Sequence, residues 1–300
     1  MYKRPDLPPY LTDAALDDLI RRALAEDVGT GDVTSEATVP EDLPAQGRFL
    51  AKDDGVLSGL YVAERVLHAV DPTLEVDWAL QDGDAVSHGA IFGTVTGPAR
   101  SILTAERLAL NLLQRMSGIA TQTRALAEAA RPYPARILDT RKTAPGLRPL
   151  DKWAVLHGGG QNHRVGLYDM VLIKDNHVTA AGGVRPAIEA AHRYMVESDR
   201  DLPIEVEAGS LQQVREVLAV GGVDYVLLDN MATLNPGGGI DTSRLEEAVS
   251  LVGGRIRTEA SGNVTLRTVH AIAATGVDYI SCGALTHSVH ALDISLKINL

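Results

Sequence analysis

Residues 136–178 read RILDTRKTAPGLRPLDKWAVLHGGGQNHRVGLYDMVLIKDNHV, and this stretch decides how the rest of the chain is interpreted. Two short apolar runs within it, Arg136–Leu138 and Met170–Ile173, are each followed at once by ionisable side chains. Up to Lys174 it contains seven Lys or Arg residues against three Asp, although the whole chain has a net charge of −11. Cations gathered in one part of an acidic protein indicate that an anion binds there.

The same pattern of apolar run followed by helix continues toward the C-terminus. Helical periodicity separates most of the runs. Such alternation predicts βα units and a parallel sheet. The predicted strands are Arg136–Leu138, Met170–Ile173, Ile204–Val206, Tyr225–Leu228, Arg255–Thr258 and Tyr279–Cys282. The predicted helices lie at about 183–197, 210–220, 243–252 and 264–275.

Polar residues follow successive predicted strands. Five of these strands are followed by Asp139 to Lys142, Lys174, Glu207, Asp229, and Glu259 with Ser261, and the last is followed by Gly283. The carboxyl ends of the strands of an α/β barrel meet at one face, where such folds bind their ligands. One such residue could equally cap the helix that follows it. Five in succession predict a shared site on one face of a closed or nearly closed barrel.

The N-terminal part of the chain shows a different organisation. Thr12 is predicted to cap an amphipathic helix that runs to about Glu26. Further short strands are predicted within 45–58 and 74–98, and helices at 60–70 and 104–130. A chain of 300 residues is long enough to form two domains.

The composition argues against several classes of protein. A net charge of −11 and a pI near 5.3 leave no basic stripe for the phosphates of a nucleic acid. The N-terminal sequence MYKRPDLPPYLTDAALDD lacks the apolar core of a signal peptide, and no run of about 18 apolar residues could span a bilayer. The single Cys282 excludes an intrachain disulfide and a cysteine zinc site. We therefore expect a cytoplasmic protein that binds neither nucleic acid nor membrane.

The cations of the 136–178 stretch suit a bound anion. The candidates are Arg141, Lys142, His163, Arg164 and Lys174. Arginine presents a planar fork that binds a carboxylate or phosphate at two points, and lysine adds a compact charge. Taken singly, Arg141 and Lys142 could belong to a solvated turn, His163 and Arg164 to a flexible loop, and Lys174 to a strand edge. A lysine placed like Lys174 can also form a Schiff base if its pKa is lowered.

Two carboxylates, Glu207 and Asp229, lie among these cations. They suit a reaction that develops positive charge, or a hydrated Mg²⁺ ion, although a salt bridge and a helix cap are the simpler alternatives. The glycine-bearing segments 260–263 and 282–284 are typical of phosphate nests in barrel folds. A phosphoribosyl transfer needs a carboxylate site, a phosphate site, a magnesium-bound group and an oxocarbenium-like transition state. It therefore fits all four features.

Segments along most of the chain resemble the quinolinate phosphoribosyltransferases, also called carboxylating nicotinate-nucleotide pyrophosphorylases. Block 138–178 is the most specific, and the glycine-rich loop Asn235–Gly239 is the main departure. The other blocks are 26–40, 106–121, 204–210, 223–231, 259–264 and 278–288. The resemblance implies an N-terminal α/β sandwich domain (1–117) and an open, TIM-like α/β barrel of seven strands (118–287), with the tail 288–300 packed on the first domain. It implies conversion of quinolinate and phosphoribosyl pyrophosphate to nicotinate mononucleotide, carbon dioxide and pyrophosphate in NAD biosynthesis.

The resemblance also implies roles for residues at matching positions. Quinolinate would be held by Thr140, Arg141, His163, Arg164 and Lys174, with Lys142 serving both substrates. Glu207 and Asp229 would face the ribose and Mg²⁺, the latter largely through water and pyrophosphate, and with Lys142 and Lys174 they would be the catalytic residues. The phosphate would lie on Ser261, Gly262, Asn263, Cys282, Gly283 and Ala284. Arg107 would reach the site of a neighbouring subunit, which implies a homodimer, alone or within a hexamer.

Three other functions stay open on the sequence alone. A relative such as the pyrophosphorylase-like protein associated with molybdenum transport would share the phosphate site but bind another ring carboxylate. An aldolase would use Lys174 as a Schiff-base residue. A non-catalytic anion-binding protein would have no need of Glu207 and Asp229 among the cations. The paired cations at 141–142 and 163–164 favour a dicarboxylate.

Overall fold

The computed structural model describes residues 5–237 and 239–299, which divide into two compact units. Unit 1 comprises the described residues of Met1–Arg124, Thr143–Gly159 and Leu285–Leu300, and unit 2 comprises those of Ala125–Lys142 and Gly160–Ala284. The domain boundary between residues 117 and 118 is drawn from sequence blocks and stays a prediction.

The described residues form a mixed set of strands and helices. The strands are β1 (Pro44–Ala51), β2 (Gly55–Val56), β3 (Glu75–Trp78), β4 (Ala85–Val86), β5 (Ile91–Pro98), β6 (Arg136–Leu138), β7 (Val171–Ile173), β8 (Ile204–Ala208), β9 (Tyr225–Asp229), β10 (Thr233–Leu234), β11 (Ile240–Asp241), β12 (Arg257–Ser261), β13 (Tyr279–Ser281) and β14 (Ile294–Asn299). The helices are α1 (Asp13–Asp27), α2 (Val33–Thr38), α3 (Leu60–Val70), α4 (Ala99–Ala130), α5 (Arg148–His157), α6 (Asp175–Ala181), α7 (Val184–Glu197), α8 (Leu211–Val220), α9 (Ser243–Val252), α10 (Val269–Ala274) and α11 (Ala284–His287).

Unit 1 is built on an antiparallel sheet of four strands in the order β14-β1-β5-β3. Alternation along β1 buries Phe49, whose ring lies 4.7 Å from that of Trp78 and 6.0 Å from that of Phe92, measured between centroids. The predicted cap of α1 is confirmed, because Thr12 Oγ1 accepts a hydrogen bond from the Ala15 N–H at 3.2 Å. The C-terminal strand β14 belongs to this sheet through its pairing with β1.

Unit 2 is built on a parallel sheet in the order β6-β13-β12-β9-β8-β7. The first strand, β6, pairs with the last, β13, as the closure of a barrel requires. At the other edge of β6, a parallel bridge of one residue joins Leu138 to Gln161, which lies between β6 and β7 in the chain. The predicted α/β fold is confirmed. Among the described residues, however, the sheet has six strands, and a one-residue bridge stands where the seventh strand was expected. Beyond Gln161, the backbone N–H of His163 donates to the side chain of Asp139 and not to a strand, so the ladder stops at one residue.

Strand β8 shows how unit 2 separates its apolar core from its polar interior. Ile204 and Val206 are buried and belong to one cluster with Ile188 of α7. Side chains alternate between the two faces of a strand. Glu205 and Glu207 therefore point to the opposite face, which is the inside of the barrel.

Some bounds differ from those that the sequence predicts. Helix α10 is shorter than the predicted 264–275, because Thr268 Oγ1 donates to the Asn263 carbonyl at 2.6 Å and accepts from the Thr265 N–H at 2.9 Å, which holds a turn instead. Helices α2, α5, α6 and α11 are additions to the prediction. Gly238, in the glycine-rich loop between β10 and β11, lies outside the described residues. Among the described helices, none combines the length and apolarity needed to cross a bilayer.

Candidate active site

Asp139 joins the two loops that carry most of the predicted anion-binding residues. It lies directly after β6 and is fully buried. Its carboxylate accepts hydrogen bonds from the backbone N–H of His163 at 2.9 Å and from Nδ2 of Asn162 at 2.6 Å. Buried carboxylates need such partners, and here both donors come from the second loop. The loop after β6 is thereby fixed to residues 162–163.

Two guanidinium groups lie close together on these loops. Arg164 is 9% exposed, and its Nη1 donates to the Met170 carbonyl at 3.2 Å. Burial lowers the pKa of Arg164, and the positive charge of Arg141 lowers this pKa further. The Nε of Arg141 is buried and has no hydrogen-bond partner within the described part of the chain. Two adjacent cations with an unused buried donor form an arrangement that an anion would complete.

Lys174 and Glu207 approach each other on neighbouring strands. Lys174 follows β7, and Glu207 lies in β8, which pairs with β7. Their Nζ and Oε2 atoms are 3.4 Å apart, and the two side chains are 49% and 13% exposed. Because the lysine is half exposed, this ion pair is weak and leaves the ammonium group accessible to a ligand. In the loop after β6, Thr140 Oγ1 accepts from the backbone N–H of Lys142 at 3.1 Å.

Asp229 is bonded to the first predicted phosphate segment. Its Oδ1 accepts from Ser261 Oγ at 2.5 Å, and its Oδ2 accepts from Asn230 Nδ2 at 2.7 Å. Gly262 has a φ of 92°, and a Cβ added there would overlap the Asn230 side chain. Glycine is therefore required at this position. Asn263 also has a positive φ, of 56°. The ends of β9 and β12 are held together by these contacts.

The second predicted phosphate segment follows β13. Cys282 is buried, and its backbone N–H donates to the Leu138 carbonyl of β6 at 3.0 Å. Gly283 and Ala284 come next, and α11 begins at Ala284. Since β13 and β6 are parallel neighbours, this segment lies at the same strand ends as Asp139.

Unit 2 contains every predicted site residue except Arg107, which belongs to α4 in unit 1. The Arg107 side chain is 60% exposed, and its Nη2 lies 4.0 Å from Glu106 Oε1. The predicted metal residues Glu207 and Asp229 lie on the adjacent strands β8 and β9. Mg²⁺ keeps several waters and binds through one or two carboxylates together with substrate phosphates. This pair of carboxylates therefore fits a magnesium ion that arrives with a pyrophosphate group.

No role was predicted from the sequence for two carboxyl groups that are buried inside the barrel. Glu205 and Glu259 are 1% and 2% exposed. Burial raises the pKa of Glu205 to about 7 and that of Glu259 to about 8, and the charge of Glu205 adds to the second shift. The sequence predicts Glu259 at a strand end, but β12 extends to Ser261 and places Glu259 in mid-strand. The sequence did contain a signal for Glu205. This residue precedes Glu207 by two residues, and side chains two residues apart in a strand lie on the same face.

Comparison with known protein families identifies the family of this chain. The family model described as "Quinolinate phosphoribosyl transferase, C-terminal domain" matches residues 119–297, and the model for the N-terminal domain of the same family matches residues 32–117. The fold and the residues at the strand ends define the class, which is that of the α/β-barrel phosphoribosyltransferases. Within this class, the chain belongs to the quinolinate phosphoribosyltransferase family.

Individual relatives cover almost the whole chain. Quinolinate phosphoribosyltransferase [decarboxylating] 1b of Nicotiana tabacum is 53% identical over 97% of this chain and 85% of that protein. The chloroplastic nicotinate-nucleotide pyrophosphorylase [carboxylating] of Arabidopsis thaliana is 52% identical over 99% of this chain and 85% of that protein. The solved structure of the nicotinate-nucleotide pyrophosphorylase from Francisella tularensis has a TM-score of 0.88 at 36% identity, covering 99% of this chain and 100% of that chain. The resemblance recognised in the sequence is thus confirmed.

Proposed function

We propose that this chain transfers the phosphoribosyl group of phosphoribosyl pyrophosphate to the ring nitrogen of quinolinate, with decarboxylation. The products are nicotinate mononucleotide, carbon dioxide and pyrophosphate, in de novo NAD biosynthesis. The observation that carries the proposal is the guanidinium pair of Arg141 and Arg164, in which the Arg141 Nε is buried without a partner among the described residues. A dianionic ring such as quinolinate would complete this pair.

The cations have two tasks in this proposal. With Lys174, the two guanidinium groups hold both carboxylates of quinolinate, so that the ring nitrogen faces the anomeric carbon of the ribose. Such positioning can supply a large part of a rate enhancement. They also keep the retained carboxylate in place while the other one departs. Lys142, which is exposed in the loop after β6, serves both substrates.

Transfer precedes decarboxylation in the mechanism that we propose. The ring nitrogen attacks the anomeric carbon, pyrophosphate leaves with the bonding electron pair, and the nitrogen becomes positively charged. The bond to the adjacent carboxylate then breaks, carbon dioxide leaves, and the electron pair stays on the ring carbon until it takes up a proton. The cationic nitrogen stabilises this carbanion. The reverse order would form a carbanion beside a neutral nitrogen.

Glu207 and Asp229 have their role at the ribose. Their carboxylates would stabilise the positive charge of the oxocarbenium-like transition state. Mg²⁺ would be held by the same two residues, largely through water and pyrophosphate, and would neutralise the charge of the leaving group. The 5′-phosphate would lie on the backbone N–H groups of residues 261–263 and 282–284, a role that the positive φ of Gly262 supports.

The assembly and the location of the protein are further parts of the proposal. The exposure of Arg107 would allow it to enter the site of a neighbouring subunit. A homodimer is then the smallest active form, and a hexamer would repeat the same contact. A cytoplasmic location is proposed from the composition of the chain.

An assay of both products tests the reaction. The protein is incubated with Mg²⁺, phosphoribosyl pyrophosphate and quinolinate labelled in the carboxylate next to the nitrogen. We expect nicotinate mononucleotide and labelled carbon dioxide in equal amounts, and no turnover of nicotinate, the control acceptor. Comparable turnover of nicotinate, or a product that retains the label, would refute the proposal.

A further inference from the structure

Three ionisable side chains form a buried cluster inside the barrel of unit 2. The side chains of His163, Glu205 and Glu259 are 8%, 1% and 2% exposed. The His163 Nε2 lies 2.8 Å from Oε2 of Glu205 and 3.4 Å from Oε2 of Glu259. The Oε1 atoms of both glutamates are buried and have no hydrogen-bond partner within residues 5–237 and 239–299. Burying carboxyl groups costs free energy, so we expect these two glutamates to have a role, and no step of the proposed reaction uses them.

The hydrogen bonds fix where the protons of this cluster lie. The Nδ1 of His163 accepts from the backbone N–H of Arg164 at 2.7 Å. A proton on Nδ1 would point at that N–H, so the ring is neutral and its proton is on Nε2. The Nε2–H then donates to Glu205 at 2.8 Å. Both ring nitrogens are therefore engaged within the protein.

Glu259 lies beside this pair, because its Oε2 is 3.4 Å from the same His163 Nε2 that Glu205 contacts at 2.8 Å. Two ionised carboxylates buried so close together would repel each other, and burial raises the pKa of Glu259 to about 8. A protonated Glu259 can donate to Glu205, which then remains the acceptor for both of its neighbours. The result is a directed chain, from Glu259 to Glu205, and from Glu205 through His163 to the backbone of Arg164.

We propose that Glu205 and Glu259 are positioning residues, which hold His163 in its Nε2–H form so that its Nδ1 fixes the backbone of Arg164 in the quinolinate site. The chain also carries one buried negative charge, which attracts the positive charges of Arg164 and Lys174. This charge offsets the repulsion between Arg164 and Arg141 before an anionic substrate arrives. The inference rests on the proposed function only for its effect on quinolinate binding.

The same three side chains could bind a divalent cation, since their candidate ligand atoms all lie within 4.8 Å of one another. The hydrogen-bond chain is favoured for two reasons. The Nε2 that a metal would need already donates to Glu205 at 2.8 Å, which is a normal hydrogen-bond length. The glutamates are also almost completely buried, so a divalent ion would have to lose its bound water to reach them.

The first experiment measures the tautomer of His163 in the substrate-free protein, and so does not depend on the proposed reaction. Histidine is labelled with ¹⁵N, and His163→Asn identifies the resonance. We expect Nδ1 to resonate as an unprotonated ring nitrogen and Nε2 as a protonated one, with no change on adding EDTA. Glu205→Leu should mix the tautomers. A proton on Nδ1 in the wild type, or a shift on chelation, would overturn the inference, and both are measured on the wild-type protein once a folded His163→Asn has assigned the resonance.

The second experiment compares variants kinetically. Glu259→Met, which cannot donate to Glu205, should raise the KM for quinolinate about tenfold, equivalent to about 1.4 kcal/mol, and change kcat less than about threefold. Glu259→Gln keeps a donor and should remain within about threefold of the wild-type KM. Glu64→Met is the matched control, because Glu64 is a buried carboxylate of unit 1 that accepts from Trp78 Nε1 at 3.0 Å. Equal damage in Glu259→Gln and Glu259→Met, or the same KM increase in Glu64→Met, would contradict a positioning role.

Discussion

Arg141→Met is expected to weaken substrate binding and to stabilise the substrate-free protein at the same time. The reason is that, in the proposed site, Arg141 serves a ligand and not the fold. Its Nε is buried without a partner in the described part of the chain, and its charge repels that of Arg164. Methionine retains much of the apolar stem that packs there, and removes both the orphan donor and the repulsion.

The sizes of the two effects follow from the contacts. A buried donor left without a partner costs about 1–3 kcal/mol, so its removal should raise the stability of the free protein by a similar amount. In a protein of this size, each kcal/mol corresponds to about 2–4 °C in Tm. A hydrogen bond to a charged group contributes about 1.5–3 kcal/mol, so losing one such bond to quinolinate should weaken binding about 10- to 150-fold.

Thermal unfolding with and without quinolinate measures both effects. The Tm of the wild type should rise with the concentration of quinolinate, as expected for specific binding to the folded state. The variant should have a higher Tm without ligand, and quinolinate should raise it little. Arg136→Met is the matched control, since Arg136 is exposed and begins β6, whereas Arg141 lies in the loop after that strand. In this control, neither the Tm nor its increase with quinolinate should change. A variant with a lower Tm and an undiminished response to quinolinate would show that Arg141 stabilises the fold and does not bind the substrate.

Three further outcomes are expected. Glu207→Gln should lower kcat far more than it raises the KM for quinolinate, because it removes charge proposed to face the oxocarbenium and keeps every cation proposed to hold the carboxylates, and small, equal effects in steady-state kinetics would count against this role. Mixing inactive Arg107→Ala with inactive Lys174→Ala protein should restore part of the activity through hybrid sites, and no recovery after verified subunit exchange would argue against a shared site. Because burial raises the pKa of Glu259 from its ordinary value of 4.5 to about 8, the folded state binds more protons than the unfolded state between these two pH values. Its stability should therefore fall as the pH rises through that window, and Glu259→Gln should flatten this slope in a plot of Tm against pH.

The residues at the strand ends were accessible from the sequence because parallel strands impose a simple rule. A polar residue directly after an apolar run lies at the carboxyl end of the sheet. Lys174 after β7 and Asp229 at the end of β9 follow this rule, and the structure places them there. The rule needs only the position of the run along the chain and does not require the contacts of the side chain.

Helix α5 was missed because its charged residues are buried, which hides the helical periodicity. Asp151 is fully buried and forms two hydrogen bonds of 2.8 Å with Arg115 of the same unit. Lys152, next to it, is also fully buried. Prediction from hydrophobic periodicity treats charged residues as exposed, and therefore assigns such a segment to the surface. The partners that make burial tolerable come from distant parts of the sequence, so no local pattern contains them.

The interior of the barrel explains why the strand β12 and its glutamate were misplaced. The strand reads RTEAS, and its Glu259 and Ser261 share the inner face with Glu205 and Glu207 of β8. A buried strand appears in the sequence as an apolar run only if both faces of the strand pack against apolar neighbours. Here the inner face lies at the proposed anion site, and buried carboxyl groups there can balance cations that would otherwise repel one another. The polar character that obscures the strand in the sequence is thus a consequence of the charge that the site gathers.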